Sequence, residues 1–435
     1  MRVVQLIPGT GTFHCGTCLR DHALARALRR AGHDVLLTPL YLPLVLEHDE
    51  DAGGPVFFGG INVYLQEKTR LFRHTPTWLD RWLDAPALLR WLANRSGMTR
   101  ASELGDLTIS MLRGEEGRQG KELDRLTDWL AEQPEPDVIL LATGLLVGMA
   151  RRIKEAIDVP VVCTLQGEDT FLDALPPPQR DEAWRNFAQR SKDVDQFVGV
   201  SAYYGETMTQ RLGLPDDRVH VVHNGIDLDD LEPVSSTPAV PMLGYLAQMN
   251  HSKGVDTLVE AYVLLRQRGR IKDLRLRIAG AVTRNDERLV HVLQERLRSE
   301  GLAGDVEFLP NIDRSTKADF LRTLSVFSVP ATYGEAFGLY VLEALACGIP
   351  VVQPRHGAFE ELLNITGGGI LCEPDDVPAL AEAIERTLLD LGQARAHAAQ
   401  AREVVIEKFN TDRMASDVVQ VCDMALRRHK HHARQ

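Results

Sequence analysis

Short apolar runs of strand length alternate with segments of helical period along the whole chain, and they fall into two sets. The first set is 3–7, 34–37, 137–142, 160–165, 196–200 and 219–223; the second is 242–246, 274–279, 306–309, 326–329, 350–353 and 369–372. Strands of this kind, separated by helices, predict two doubly wound α/β sheets. Between the sets, Leu228-Asp229-Asp230-Leu231-Glu232-Pro233-Val234-Ser235-Ser236-Thr237-Pro238 is acidic, contains Pro and Ser and has no apolar period, which makes it the domain break. The expected division is a first domain over 1–232, a second over 233–398 and a helical tail over 399–435.

At 435 residues and 44% hydrophobic content the chain is long enough for two such cores. A net charge of −12 argues against a general nucleic-acid binder, which needs a basic surface. No apolar run is long enough to cross a bilayer, and the chain opens on a strand where a leader would be basic and then apolar; the expected compartment is the cytoplasm. The six cysteines are too scattered for a disulfide framework.

The stretch Gly334-Glu335-Ala336-Phe337-Gly338-Leu339-Tyr340-Val341-Leu342-Glu343 carries the most chemistry. An apolar strand runs into a glycine turn, from which a helical period starts at Phe337 with Leu339, Leu342, Leu345 and Ala346 on one stripe. The free backbone N–H groups of such a helix start, with its dipole, favour an anion such as a diphosphate. Glu335 sits in the turn and Glu343 about two turns later, so both carboxylates can face one cleft, one accepting from a transferred sugar and the other from a ribose.

This stretch resembles the E-x7-E signature of glycosyltransferase family 4, whose members are retaining enzymes of the GT-B fold. Asn224-Gly225-Ile226-Asp227, Lys253-Gly254, Gly348-Ile349-Pro350-Val351-Val352 and Gly367-Gly368-Gly369-Ile370-Leu371 match further family motifs, and the likeness spans nearly the whole chain. Gly357-Ala358-Phe359-Glu360-Glu361 resembles G-G-x-P-E, with Glu360 in place of the proline. The resemblance implies two Rossmann-like domains facing a central cleft, with a C-terminal helix crossing back to the first. It implies transfer of a hexose from a nucleoside diphosphate sugar, UDP or GDP, to an acceptor hydroxyl, with no metal or other cofactor. Lys253 and Glu335 are the expected catalytic residues. Gly11, Gly16, Gln248, Ala336, Phe337, Gly338, Leu339 and Glu343 join Lys253 in binding the sugar donor, and His14, Gln166, Gly167, Glu168 and Asp169 form the acceptor side. Epimerases and phosphorylases share the fold.

Two positions depart from the family. Gln248 stands five residues before Lys253, where an arginine is usual, and Gln166 stands where His is common. A neutral amide does not neutralise a phosphate, so Arg314 or Arg355 is the expected substitute, or the chain is a nucleotide-sugar binder without turnover. Glu168 and Asp169 fit equally well as acidic residues of a helix start.

Other patterns have plainer readings. Asp227-Leu228-Asp229 is the end of the N-G-I-D motif and not a metal-binding D-x-D; Cys15-Gly16-Thr17-Cys18 is a tight turn and not a redox or zinc pair. Residues 47–51 form a solvated acidic loop. Trp78, Trp82 and Trp91 among the arginines of 70–100 fit a lid or core-facing helix, and also fit peripheral membrane contact. The basic end, Arg427 to His432, reads as a helix terminus.

Overall fold

A computed structural model describes residues 1–9, 16–41, 101–229, 231–234 and 238–432. Gly11, His14, Cys15, the acidic 47–51 segment and the aromatic–basic 70–100 segment lie outside the described residues, as does the side chain of Arg314.

The first unit contains β1 (Arg2–Ile7), α1 (Gly16–Arg30), β2 (Asp34–Pro39), α2 (Ala101–Leu112), α3 (Gly120–Glu132), β3 (Val138–Leu141), α4 (Ala150–Ile157), β4 (Val161–Leu165), α5 (Glu168–Asp173), α6 (Gln179–Arg190), β5 (Gln196–Gly199), α7 (Ala202–Leu212) and β6 (Val219–Val221). The second contains β7 (Met242–Leu246), α8 (Val255–Arg268), β8 (Arg275–Gly280), α9 (Glu287–Ser299), β9 (Val306–Pro310), α10 (Arg314–Arg322), β10 (Val326–Phe327), α11 (Leu339–Ala346), β11 (Val351–Pro354), α12 (Ala358–Thr366), β12 (Gly369–Cys372), α13 (Val377–Leu389) and α14 (Leu391–Lys408). Helix α15 (Thr411–His432) ends the described chain.

All twelve expected strands form, with ends shifted by a few residues at most. Every pairing is parallel, in the orders β2-β1-β3-β4-β5-β6 and β12-β11-β10-β7-β8-β9. Strands β3, β4 and β5 are buried at every residue, as a sheet covered on both faces requires. In the second sheet the chain winds outward from β7 to β9, then returns to place β10 on the other side of β7. That reversal is the point where open α/β sheets bind ligands, beyond the carboxyl ends of the two strands.

The two compact units are Met1–His223 with Asp412–Gln435, and Asn224–Thr411. The cuts therefore fall at 223/224 and 411/412, where 232/233 and 398/399 were expected. Local packing explains both shifts. Ile226 N–H donates to the Phe409 carbonyl at 2.8 Å, and a Cβ on Gly225 would stand 2.3 Å from the Asn410 carbonyl oxygen, so this glycine is needed for close backbone approach. Arg402 of α14 donates to the carbonyls of Leu231, at 3.0 Å, and of Ala346. Those bonds hold the expected linker and the start of the expected tail in the second unit.

Helix α15 completes the first unit's core. Met414, Ala415, Val418, Val421, Cys422 and Ala425 recur at a helical period and pack with Val3 and Ile7 of β1, Val138 and Leu140 of β3, and Leu24 and Leu28 of α1. Among the described residues no helix is long and apolar enough to cross a membrane.

Candidate active site

Two turns meet at the reversal of the second sheet. After β7, Asn250 Oδ1 accepts from the Lys253 N–H at 2.9 Å, and Gly254 turns the chain at φ +69° into α8. A Cβ there would stand 1.9 Å from the Pro330 carbonyl oxygen, so only glycine lets the Lys253 turn seat against the strand that leads to Glu335. Thr332 N–H closes the contact on the Ser252 carbonyl at 2.9 Å. After β10, the loop carrying Glu335 rests on Gly357: a Cβ at 357 would be 2.4 Å from the Glu335 nitrogen, and Ala358 N–H donates to the Glu335 carbonyl at 2.9 Å. Gly338, at φ +92°, then starts α11.

Lys253 Nζ consequently reaches Glu335 Oε2 and the Tyr333 hydroxyl. Tyr333 and Tyr340 donate to the same Oε2 at 3.1 and 2.8 Å. The ammonium lies 4.9 and 5.4 Å from the two ring centroids, within cation–π range. Burial pushes the Glu335 carboxyl up, but the Lys253 charge and the bonds from Lys253, Tyr340 and Tyr333 outweigh it and hold the group below the ordinary glutamate value. The result is an ionised carboxylate beside an ammonium, both largely screened from water.

Glu343, in the second turn of α11, has its own lysine, Lys317 of α10, at 2.6 Å. Ala336 and Phe337 turn their side chains inward, with the Phe337 ring 6.3 Å from that of Phe409. Gln248 is engaged by a carboxylate of its own unit. Its amide nitrogen donates at 2.9 Å to Asp286, whose same oxygen also accepts from Thr283 N–H and hydroxyl at 2.9 and 2.6 Å. Arg355 pairs with Glu360 at 3.1 Å on the surface.

In the first unit the expected acceptor-side residues separate. Glu168 is 3% exposed. Its Oε1 accepts from the Thr143 hydroxyl at 2.8 Å and Gly144 N–H at 2.7 Å, its Oε2 from Gln166 N–H and the Tyr204 hydroxyl, both at 2.9 Å. A carboxylate with both oxygens engaged inside the protein is a tie between the β3, β4 and α7 segments, and the expectation that it binds acceptor hydroxyls is corrected. Asp169 is half-buried, and its Oδ1 is itself buried with no hydrogen-bond partner among the described residues. Burial raises its carboxyl despite bonds from Thr170 and Tyr204. Gln166 donates from its amide to the Ala142 carbonyl. Gly167, at φ +111°, precedes α5.

Sequence reasoning missed Tyr333, Tyr340, Lys317 and Asp286. It also missed Asp21, fully buried against Arg20 at 2.6 Å, whose carboxyl burial raises to about 6 against the pull of Arg20 and Gln166. Tyr340 had a visible signal, a hydroxyl-bearing residue inside an otherwise apolar helix start. The others had none. Asp227 Oδ1 accepts from Asp229 N–H at 3.2 Å in a local turn, and among the described residues no three His, Cys, Asp or Glu side chains group to hold a metal.

Comparison with known proteins converges on one family. The model described as "Glycosyltransferase Family 4" matches residues 109–230, and that described as "Glycosyl transferases group 1" matches 233–404. A D-inositol 3-phosphate glycosyltransferase from Xylanimonas cellulosilytica is 26% identical over 63% of this chain and 68% of its own length. Across such curated relatives the matched stretch spans between 52% and 86% of their length. Among solved structures, sucrose-phosphate synthase from Thermosynechococcus elongatus superposes with a TM-score of 0.71 at 18% identity over 98% of both chains. The Anabaena protein HepE, in complex with UDP, gives 0.69 at 15% over 98% of this chain and all of that one. With both sheets, their strand order and the Lys253–Glu335 meeting point in place, these matches make the chain a GT-B protein belonging to glycosyltransferase family 4.

Proposed function

We propose that this protein transfers a hexose from a nucleoside diphosphate sugar to an acceptor hydroxyl, with retention at the anomeric carbon and without a metal. The observation that carries the reading is the meeting of Lys253 and Glu335 where the second sheet reverses. As the bond from the anomeric carbon to the diphosphate breaks, negative charge grows on the leaving phosphate oxygen. An ammonium fixed in a largely dry site, and the backbone N–H groups at the start of α11, stabilise that charge without reorganising. The acceptor oxygen enters from the face the diphosphate leaves, and its proton passes to a diphosphate oxygen. Glu335 accepts from a hydroxyl of the transferred sugar, Glu343 from the ribose. Gln166, Gly167 and Asp169 of the first unit are assigned to the acceptor. Support for a nucleotide sugar comes from HepE, which was solved with UDP, with UDP and glucose, and with UDP-glucose.

Calorimetry on two variants tests the assignment. Loss of a charged acceptor costs about 1.5–3 kcal/mol, so Glu343→Ala weakens nucleoside diphosphate binding by that amount. Glu335→Ala leaves the diphosphate nucleotide nearly unaffected and weakens the sugar-bearing one. Unchanged affinities in both variants would sink the assignment. The same titrations and turnover assays in EDTA give the values found without it; loss in EDTA, restored by manganese, contradicts the metal-free reading.

Gln248→Arg tests the family departure. Asp286 is already placed to hold a guanidinium, and the remaining N–H groups face the phosphates, so binding of nucleoside diphosphate tightens by roughly 1 kcal/mol. Weaker binding would mean that another cation already fills that space.

A further inference from the structure

One oxygen of Glu335 is crowded and the other is open. Lys253 Nζ, Tyr333 OH and Tyr340 OH all converge on Oε2, which saturates its lone pairs. Oε1 accepts from none of the described residues, and the side chain keeps 12% of its surface exposed. Left to itself, a glutamate carboxylate turns freely, because its terminal torsion is broad and nearly two-fold. An ammonium does not stop that rotation, being a point charge on a flexible stem.

Tyr340 is a different kind of partner. It is the second residue of α11, and its ring lies between Phe327, centroids 6.2 Å apart at 50°, and Phe359, 6.3 Å apart at 56°. Phe359 is itself fully buried, and it reaches that position because residue 338 is glycine: a Cβ there would stand 3.0 Å from the Phe359 ring edge. Two aromatic walls thus fix the direction from which the Tyr340 hydroxyl approaches Glu335. Burial, and then the Glu335 charge, hold that hydroxyl well above the ordinary tyrosine value, so it stays protonated and donates.

We propose that Tyr340 is a positioning residue that fixes the rotation of the Glu335 carboxylate and so presents Oε1 to the sugar of the nucleotide sugar. This rests on the assignment of Glu335 to that sugar. The residue just before Glu360 then has a definite task in this chain: Phe359 is the wall that holds the positioning hydroxyl in place.

The test is Tyr340→Phe, which keeps the ring between its walls and removes only the hydroxyl. The groups facing Glu335 are Lys253 from the turn after β7, Tyr333 and Tyr340, and, further off, Tyr245 of β7, which also faces Asp256 and Asp286. Removing one donor to the ionised form makes the carboxyl easier to protonate. A carbon-13 carboxyl titration of the ligand-free protein should therefore show the Glu335 midpoint moving to higher pH by about half a unit or more. With UDP and UDP-glucose as probes, UDP affinity stays within about twofold and UDP-glucose affinity falls about tenfold, since one charged hydrogen bond is misaligned. An unmoved midpoint overturns the proposal, and the titration decides alone if neither probe binds. Glu335→Gln separates the two levels of the argument. If it leaves the UDP-glucose to UDP affinity ratio unchanged, the assignment of Glu335 to the sugar fails. If it collapses that ratio while Tyr340→Phe does not, the positioning role alone fails.

Discussion

Turnover of the Lys253→Ala variant falls by about a hundredfold or more, the loss seen when a fixed charge-stabilising group is removed from an active site. Two effects add. The leaving diphosphate loses the ammonium at the carboxyl ends of β7 and β10, and Glu335 loses the cation that outweighs its burial. The carboxyl then drifts up towards protonation and accepts less well from a sugar hydroxyl. The second effect is separable, because Lys253→Ala made in a Glu335→Gln background has no stranded charge. In a double-mutant cycle on single-turnover rates, the lysine costs less in that background, and the difference is the coupling between the two residues. Full turnover in Lys253→Ala would refute its leaving-group role.

Glu168→Ala unfolds at markedly lower denaturant, with a loss of about 3 kcal/mol or more. Four donors aim at this one carboxylate: the Thr143 hydroxyl, the Gly144 and Gln166 N–H groups and the Tyr204 hydroxyl. Each loses its acceptor in a buried site when the side chain is cut back, and an unsatisfied buried donor costs more than a made hydrogen bond gains. Gly144 is closely covered by the Phe187 ring, which stands 2.3 Å from where a Cβ at this position would be. Glu168→Gln is intermediate, because its amide nitrogen turns a donor towards other donors. Urea denaturation of the three proteins gives the ranking; a loss below 1 kcal/mol in the alanine variant would return Glu168 to the list of ligand-facing groups.

The same residue shows where reading the sequence stops. A first-turn glutamate that ties loops together and one that awaits a ligand are spelled identically, and the difference here lies in Tyr204, 36 residues further on. The strands were legible because continuous apolar runs need no partner to be identified; their order was not, since spacing along the chain is silent on which side of β7 the strand β10 returns. Lys253 and Glu335 were therefore both found by motif, while their contact, and the tyrosines that complete it, came only with the sheet topology. Gln248 was read as a weak substitute for arginine, and its commitment to Asp286 depends on the Thr283 turn, which carries no pattern. Phe359 falls at the variable position of the G-G-x-P-E motif, which gives no hint that it is a core residue behind Tyr340.

Helix α15 has a consequence for how the protein is made. The second unit, Asn224–Thr411, is one uninterrupted stretch, whereas the core of the first needs Met414, Val418, Val421 and Cys422 from beyond it. During synthesis the 188 residues of 224–411 leave the ribosome between the last strand of the first unit and the helix that closes its core (411 − 224 + 1). At ordinary elongation rates that is a wait of roughly 10–40 s. For that interval the strand side meant for α15 is bare apolar surface, and the unit begun first is the one completed last.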